Sequence, residues 1–173
     1  MKKVFSLSPL FMFVLGLLFS ASVSAQEQQS RPSPAATANG KVGGANITIT
    51  YSSPSVKGRT LWGELVPYGK VWRAGANEAT TFETDKDVKV EGKTLPAGKY
   101  AFFTIPNDKE WTVIFNKTAN QWGAYKYEEA QDALRVSVKP KKSKEFNESL
   151  KYNVGKDGIS LLWENMEVPV KVK

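Results

Sequence analysis

The sequence contains no cysteine and no histidine. The first absence excludes disulfides, thiol chemistry and lipid attachment through a cysteine. The second removes the Ser-His-Asp triad, and the two together remove the Cys-His pair and nearly all zinc-site architectures, so no metal or cofactor is expected. Any catalysis is left to carboxylates, Lys, Tyr, Ser or Thr. Long hydrophobic runs are scarce as well. One extends from Leu10 to Phe19, too short to span a bilayer, and none follows it, so no membrane span is expected. Lys2 and Lys3 precede this run and Val23-Ser24-Ala25 ends it, which is the pattern of a secretory signal cleaved after Ala25. Residues 1–25 therefore read as a signal peptide, and the chain from Gln26 as one exported domain, periplasmic or secreted.

Acidic residues are in the minority, but only modestly. The formal charge of +7 becomes +5 once Lys2 and Lys3 leave with the signal. The lysines are scattered, and the densest group, Lys139, Lys141, Lys142 and Lys144 in PKKSKEF, reads as a solvated loop. Nucleic acid is a poor partner for an exported chain. Large apolar residues are nearly missing from 26–44, QEQQSRPSPAATANGKVGG, where Val42 stands alone. Nothing there offsets the entropy of ordering, which predicts a flexible leader over 26–44 and a folded domain over 45–173.

From Asn46 onward the pattern has period two. Ile47, Ile49 and Tyr51 alternate with Thr48 and Thr50. The same alternation recurs at Val88 and Val90, at Trp111, Val113 and Phe115, at Leu134, Val136 and Val138, at Ile159, Leu161 and Trp163, and at Val168, Val170 and Val172. Each run predicts a strand with one wet face. Turn chemistry separates them at Glu91-Gly92, Leu95-Pro96-Ala97-Gly98, Pro106-Asn107-Asp108 and Lys156-Asp157-Gly158. YAFFTI, Tyr100–Ile105, is apolar on both faces and reads as a central strand covered from both sides, while KYEEAQDAL, Lys126–Leu134, reads as a short helical turn. The expectation is an all-β, single-domain antiparallel β-sandwich, jelly-roll-like, of about nine or ten strands with little helix.

The segments SPSVKGR, VPYGKVWRAGANEAT, LPAGKYAFFTIP and WTVIFNK followed by QWGAY occur in that order between Ser53 and Tyr125. In this the chain resembles an uncharacterised family of exported bacterial proteins, domain of unknown function family 2911, from about Tyr51 to the C-terminus. The resemblance implies a secreted all-β domain and lends no activity.

The stretch GKVWRAGANEAT, Gly69–Thr80, holds residues that are neither turn fillers nor plain core formers. Trp72, Arg73, Asn77 and Glu78, with Lys70 beside them, supply an aromatic face, a guanidinium, an amide and a carboxylate ahead of a strand expected over 79–84. Loops on a rigid sheet are where binding groups sit, and these groups suit a small envelope ligand or glycan: Trp72 stacks on a sugar face, Arg73 anchors an anionic or hydroxyl-bearing group, and Asn77 and Glu78 bond hydroxyls. Trp122 and Tyr125 in QWGAYKY offer a second platform.

Three other readings use the same residues. In a purely structural domain, Trp72 is core, Arg73 and Glu78 form a buried brace, and Gly75 takes positive φ. In a hydrolase acting on envelope glycans, Glu78 and Glu64 are the carboxylate pair. In an amide cross-link, Lys70 and Asn77 react with Glu78 as proton shuttle, provided Lys70 is desolvated. Glu83, Asp85 and Asp87 share a strand face but read as solvated surface and not as a calcium site.

Overall fold

Side chains alternate across an extended chain, so Ile47, Ile49 and Tyr51 fall on one side of β2 (Ala45–Ser52), where they are buried while Asn46 and Thr50 are exposed. The same rule builds β3 (Thr81–Thr84), β6 (Gly98–Ile105), β7 (Trp111–Asn116) and β8 (Asp132–Val138), and a computed structural model describes residues 31–173. With β1 (Ala35–Val42) these strands form a six-stranded antiparallel sheet in the order β1-β2-β3-β6-β7-β8. The opposite layer is the long hairpin of β9 (Lys141–Gly155) and β10 (Gly158–Lys171). A small hairpin, β4 (Val88–Val90) with β5 (Lys93–Leu95), joins the chain just after β10 through the Val90–Val172 bridge.

Ile49, Phe82, Phe102, Trp111 and Phe115 from the large sheet meet Leu150, Tyr152, Leu161, Trp163 and Val168 from the β9–β10 layer in one buried cluster. This is an antiparallel β-sandwich of ten strands. Chain neighbours are mostly sheet neighbours, so its likeness to a jelly roll lies in the two-layered antiparallel build and not in crossed connections. Among the described residues no helix is long and apolar enough to cross a membrane.

The leader expected over 26–44 is corrected in part. Residues 26–30, like the signal segment 1–25, lie outside the described residues, but Ala35–Val42 is a strand paired with β2 along its whole length. Gly43 and Gly44 have φ of 56° and 86° and make the two-residue turn between them, the arrangement whose twist suits a hairpin. Small residues order this strand. A Cβ at Gly40 would lie 2.7 Å from Val154 Cγ1, so β1 approaches β9 to a distance that larger side chains would forbid. Ala36 and Ala38 pack on the main core.

YAFFTI has the two covered faces expected of it. Tyr100 and Phe102 enter the main core; Ala101 and Phe103 form a second cluster with Ala79 and Ile114 on the outer side of the sheet. What covers that outer side is Val71 from the GKVWRAGANEAT stretch and Ala124 and Tyr127 from QWGAYKY. The helical turn expected after Lys126 is a single 3-10 turn, Glu129–Gln131, followed directly by β8. PKKSKEF is mostly solvated but is not a loop, since β9 starts at Lys141 and buries Ser143.

Candidate functional site

The stretch 69–80 runs beside the C-terminal half of β6, an interior strand of the large sheet, as an irregular segment held by hydrogen bonds from several elements. Trp72 pairs with Thr104 of β6, donating N–H to its carbonyl at 2.7 Å and accepting from its N–H at 2.9 Å. The Ala74 carbonyl accepts two hydrogen bonds, from Tyr152 Oη at 2.7 Å and from Thr80 Oγ1 at 3.0 Å. Tyr152 is fully buried, and burial pushes its phenol well above the ordinary tyrosine range, so it stays a donor. Ala76 N–H donates to the Ser52 carbonyl at 3.2 Å.

Backbone strain gathers here. Lys57, Ala74 and Asn77 have φ of 49°, 51° and 57°, the left-handed region that side-chain-bearing residues avoid. Gly75, expected to take positive φ, does not. Its missing side chain serves close approach instead: a Cβ would lie 2.9 Å from Thr80 Oγ1 and 3.1 Å from the Ser52 carbonyl oxygen.

Trp72 is half-buried, and its ring stacks on Trp163 of β10 with centroids 5.9 Å apart and planes 14° apart. Trp62 packs edge-on against Trp72, Trp111 and Trp163 at 6.1, 5.1 and 5.9 Å, so four tryptophans form one cluster at this end of the sandwich. Beside it lies a concavity of about 320 Å³. Trp72 and Trp163 line it together with Arg73, Asn77, Lys57 and Arg59, and among the described residues no aspartate or glutamate lines it. Arg59 is fixed by its own turn, donating from Nε to the Val56 carbonyl at 3.0 Å and from Nη2 to the Ser55 carbonyl. Arg73 Nε is buried and makes no hydrogen bond, and the same holds for Nε1 of Trp163. Buried donors normally have partners, so two unused ones at one concavity call for an acceptor.

The structure thus brings together three of the expected residues, Trp72, Arg73 and Asn77, and leaves four outside. Asn77 donates from Nδ2 to the Ser33 carbonyl at 3.2 Å, which still leaves its other amide valences. Glu78 is exposed and does not line the concavity; its backbone bridges to Trp122. A buried Arg73–Glu78 brace is therefore not formed, because the left-handed turn at Asn77 carries Glu78 outward while Arg73 Nε stays buried. Lys70 is exposed and lacks the desolvation that an amide cross-link requires. Glu64 is exposed too, and neither it nor Glu78 reaches the concavity, so the carboxylate pair of a glycosidase is not assembled there. Trp122 and Tyr125 are exposed on the neighbouring turn, outside the concavity.

Sequence reasoning missed Lys57, Arg59 and Trp163. The first two sit in SPSVKGR, where the glycine between two cations is the signal that could have marked a turn presenting both; Trp163 reads as core from its place in an alternating strand, and it is also buried. In the row Glu83, Asp85 and Asp87, Asp85 accepts from the backbone and side chain of Asn46, which hold its carboxyl below the usual range, and Asp87 accepts from Ala97 N–H. The described residues contain no grouping of acidic side chains suited to a metal ion.

A larger recess of about 460 Å³ at the β9–β10 turn mixes Lys141, Lys156 and Lys171 with Asp157 and Glu167. Lys141 already pairs with Glu167 at 3.2 Å, so this recess lacks the single-sign character of the first.

Residues 33–172 match the family model described as protein of unknown function (DUF2911). The chain belongs to this family. No curated protein and no solved structure matches it. The family match covers all ten strands: it begins at Ser33, just before β1, and so includes the hairpin that the composition of 26–44 had hidden.

Proposed function

We propose that this is an exported, non-catalytic binding protein whose site takes a small anionic ligand with a flat apolar face, an acidic sugar of the cell envelope being the class that fits both requirements. The observation that carries the reading is the charge of the concavity: Lys57, Arg59 and Arg73 line it together with the stacked Trp72 and Trp163, and no carboxylate among the described residues does. An anion gains from cations of one sign in a recess, and a guanidinium presents paired donors to a carboxylate or phosphate. A pyranose ring gains from an aromatic face while Asn77 selects among its hydroxyls. The segment is braced by Tyr152 and Thr80, so little conformational entropy is lost on binding.

The test is a glycan and muropeptide array, followed by calorimetry on whatever binds. Saturable binding of acidic saccharides, weakened about tenfold or more by Arg73→Met and by Trp72→Ala but unaffected by Lys142→Ala, is expected. Failure of all acidic saccharides to bind, or full affinity in a folded Arg73→Met variant, overturns the reading. Export is tested separately, by finding the protein outside the cytoplasm with Gln26 at its N-terminus.

A further inference from the structure

We propose that the ligand is a chain and not a single sugar, with a second contact on the turn that carries Trp122 and Tyr125; this rests on the reading of the concavity given above. Tyr125 and Trp122 are 83% and 57% exposed, the two most exposed large aromatic rings among the described residues. A lone exposed aromatic needs no explanation, but these two stand on a turn that is held still. Gly123 N–H donates to the Asn77 carbonyl at 3.1 Å and Ala79 N–H to the Gln121 carbonyl at 2.9 Å, so the turn is paired to the same segment that lines the concavity. Gln121 Nε2 closes it on the Thr118 carbonyl at 2.8 Å. Two residues on, Tyr127 turns inward and donates to Asp132 at 2.6 Å, which fixes where the chain leaves.

Arg73 connects the two places. A methyl group at Gly123 would lie 3.8 Å from Arg73 Nη1 and 2.9 Å from Tyr125 Cε2, so the guanidinium of Arg73, a residue that lines the concavity, lies close to the base of the aromatic turn. The surface runs from the Trp72–Trp163 stack through a cation to two outward rings, with Lys126 exposed between the turn and Tyr127. Apolar faces alternating with cationic donors match a saccharide chain whose units present ring faces and acidic groups in turn. A protein partner fits less well, since a stable protein interface covers about 800 Å² on each side and these rings are flanked by Gln121, Lys126 and Glu128. The rings have few rotatable bonds and are already positioned, so stacking on them costs little order.

Acidic saccharides that bind in the array are compared as monomers and as tetramers, by calorimetry, on the wild type and on Trp122→Ala, Tyr125→Ala and Arg73→Met. The tetramer is expected to bind more tightly than the monomer, by roughly two- to tenfold for each ring engaged. Each aromatic variant should remove its share of that gain and leave monomer affinity unchanged, while Arg73→Met weakens both. Equal affinity for monomer and tetramer overturns the extension alone, as does a tetramer advantage that survives both aromatic substitutions. Absence of binding by any acidic saccharide overturns the concavity reading and this one with it.

Discussion

Tyr152 on β9 donates its phenolic proton to the carbonyl oxygen of Ala74, 2.7 Å away in the segment that crosses the opposite layer. Thr80 Oγ1 fills the other position on that oxygen at 3.0 Å. The two donors fix a residue whose φ of 51° an alanine does not adopt unaided. They hold Arg73 and Gly75, its neighbours, at the concavity.

Removing one donor leaves the carbonyl with the other, so Tyr152→Phe should cost about 1 kcal/mol, and Thr80→Val a similar amount. The double variant orphans a buried carbonyl and should cost more than the sum. Urea unfolding of the four proteins measures this as a coupling energy, and strict additivity would mean that the two bonds do not share one acceptor.

Gly75→Ala places a methyl group 3.1 Å from the Ser52 carbonyl oxygen, which is backbone and cannot swing away. We expect a loss of about 1–3 kcal/mol, typical of overpacking, together with weaker binding at the concavity. An alanine variant as stable as the wild type would show that this approach is looser than described.

Gly40→Ala tests whether β1 belongs to the domain. The added carbon would sit 2.7 Å from Val154 Cγ1 and 3.0 Å from the Val154 carbonyl oxygen, so a drop of about 1–3 kcal/mol is expected in denaturant titration. A free leader would tolerate the change without any shift of midpoint.

Tyr127 gives the fold a dependence on alkaline pH. Burial, with Asp132 accepting from its hydroxyl, pushes its phenol up to about 12, against a partial opposing pull from Arg135. Arg135 Nε lies 2.8 Å from Asp132 Oδ2, a charge contact without the alignment of a hydrogen bond. The folded state therefore keeps a proton that the unfolded state, titrating near 10, has begun to release. This contribution to stability is complete below about pH 10 and is lost as pH rises toward 12. Between those values the wild type should lose stability more steeply than Tyr127→Phe, as followed by thermal melts at stepped pH, and parallel slopes would refute the assignment.

Period-two alternation settled the class of this protein from sequence, because burial on one side of a strand is a local property of consecutive residues. Ile47, Ile49 and Tyr51 needed no knowledge of their partners to be placed inside. The same local logic failed at 35–42, where alanine and glycine gain little alone and become ordered only because β9 offers a surface that small residues approach closely. It failed again for Gly75, whose need for a missing side chain is set by the distant Ser52 carbonyl and not by its own φ.

The motif GKVWRAGANEAT could be singled out as unusual in one dimension, yet which of its side chains face a recess depended on contacts far apart in the chain. Lys57 and Arg59 arrive from the turn after β2 and Trp163 from β10, while the left-handed backbone at Asn77 turns Glu78 out to solvent. Composition and alternation dictated a two-layered β fold without histidine or thiol chemistry. Only the packing of one layer on the other decided that cations and stacked indoles share a wall on which no carboxylate of the described residues lies, because long-range closure alone brings those residues within reach of one ligand.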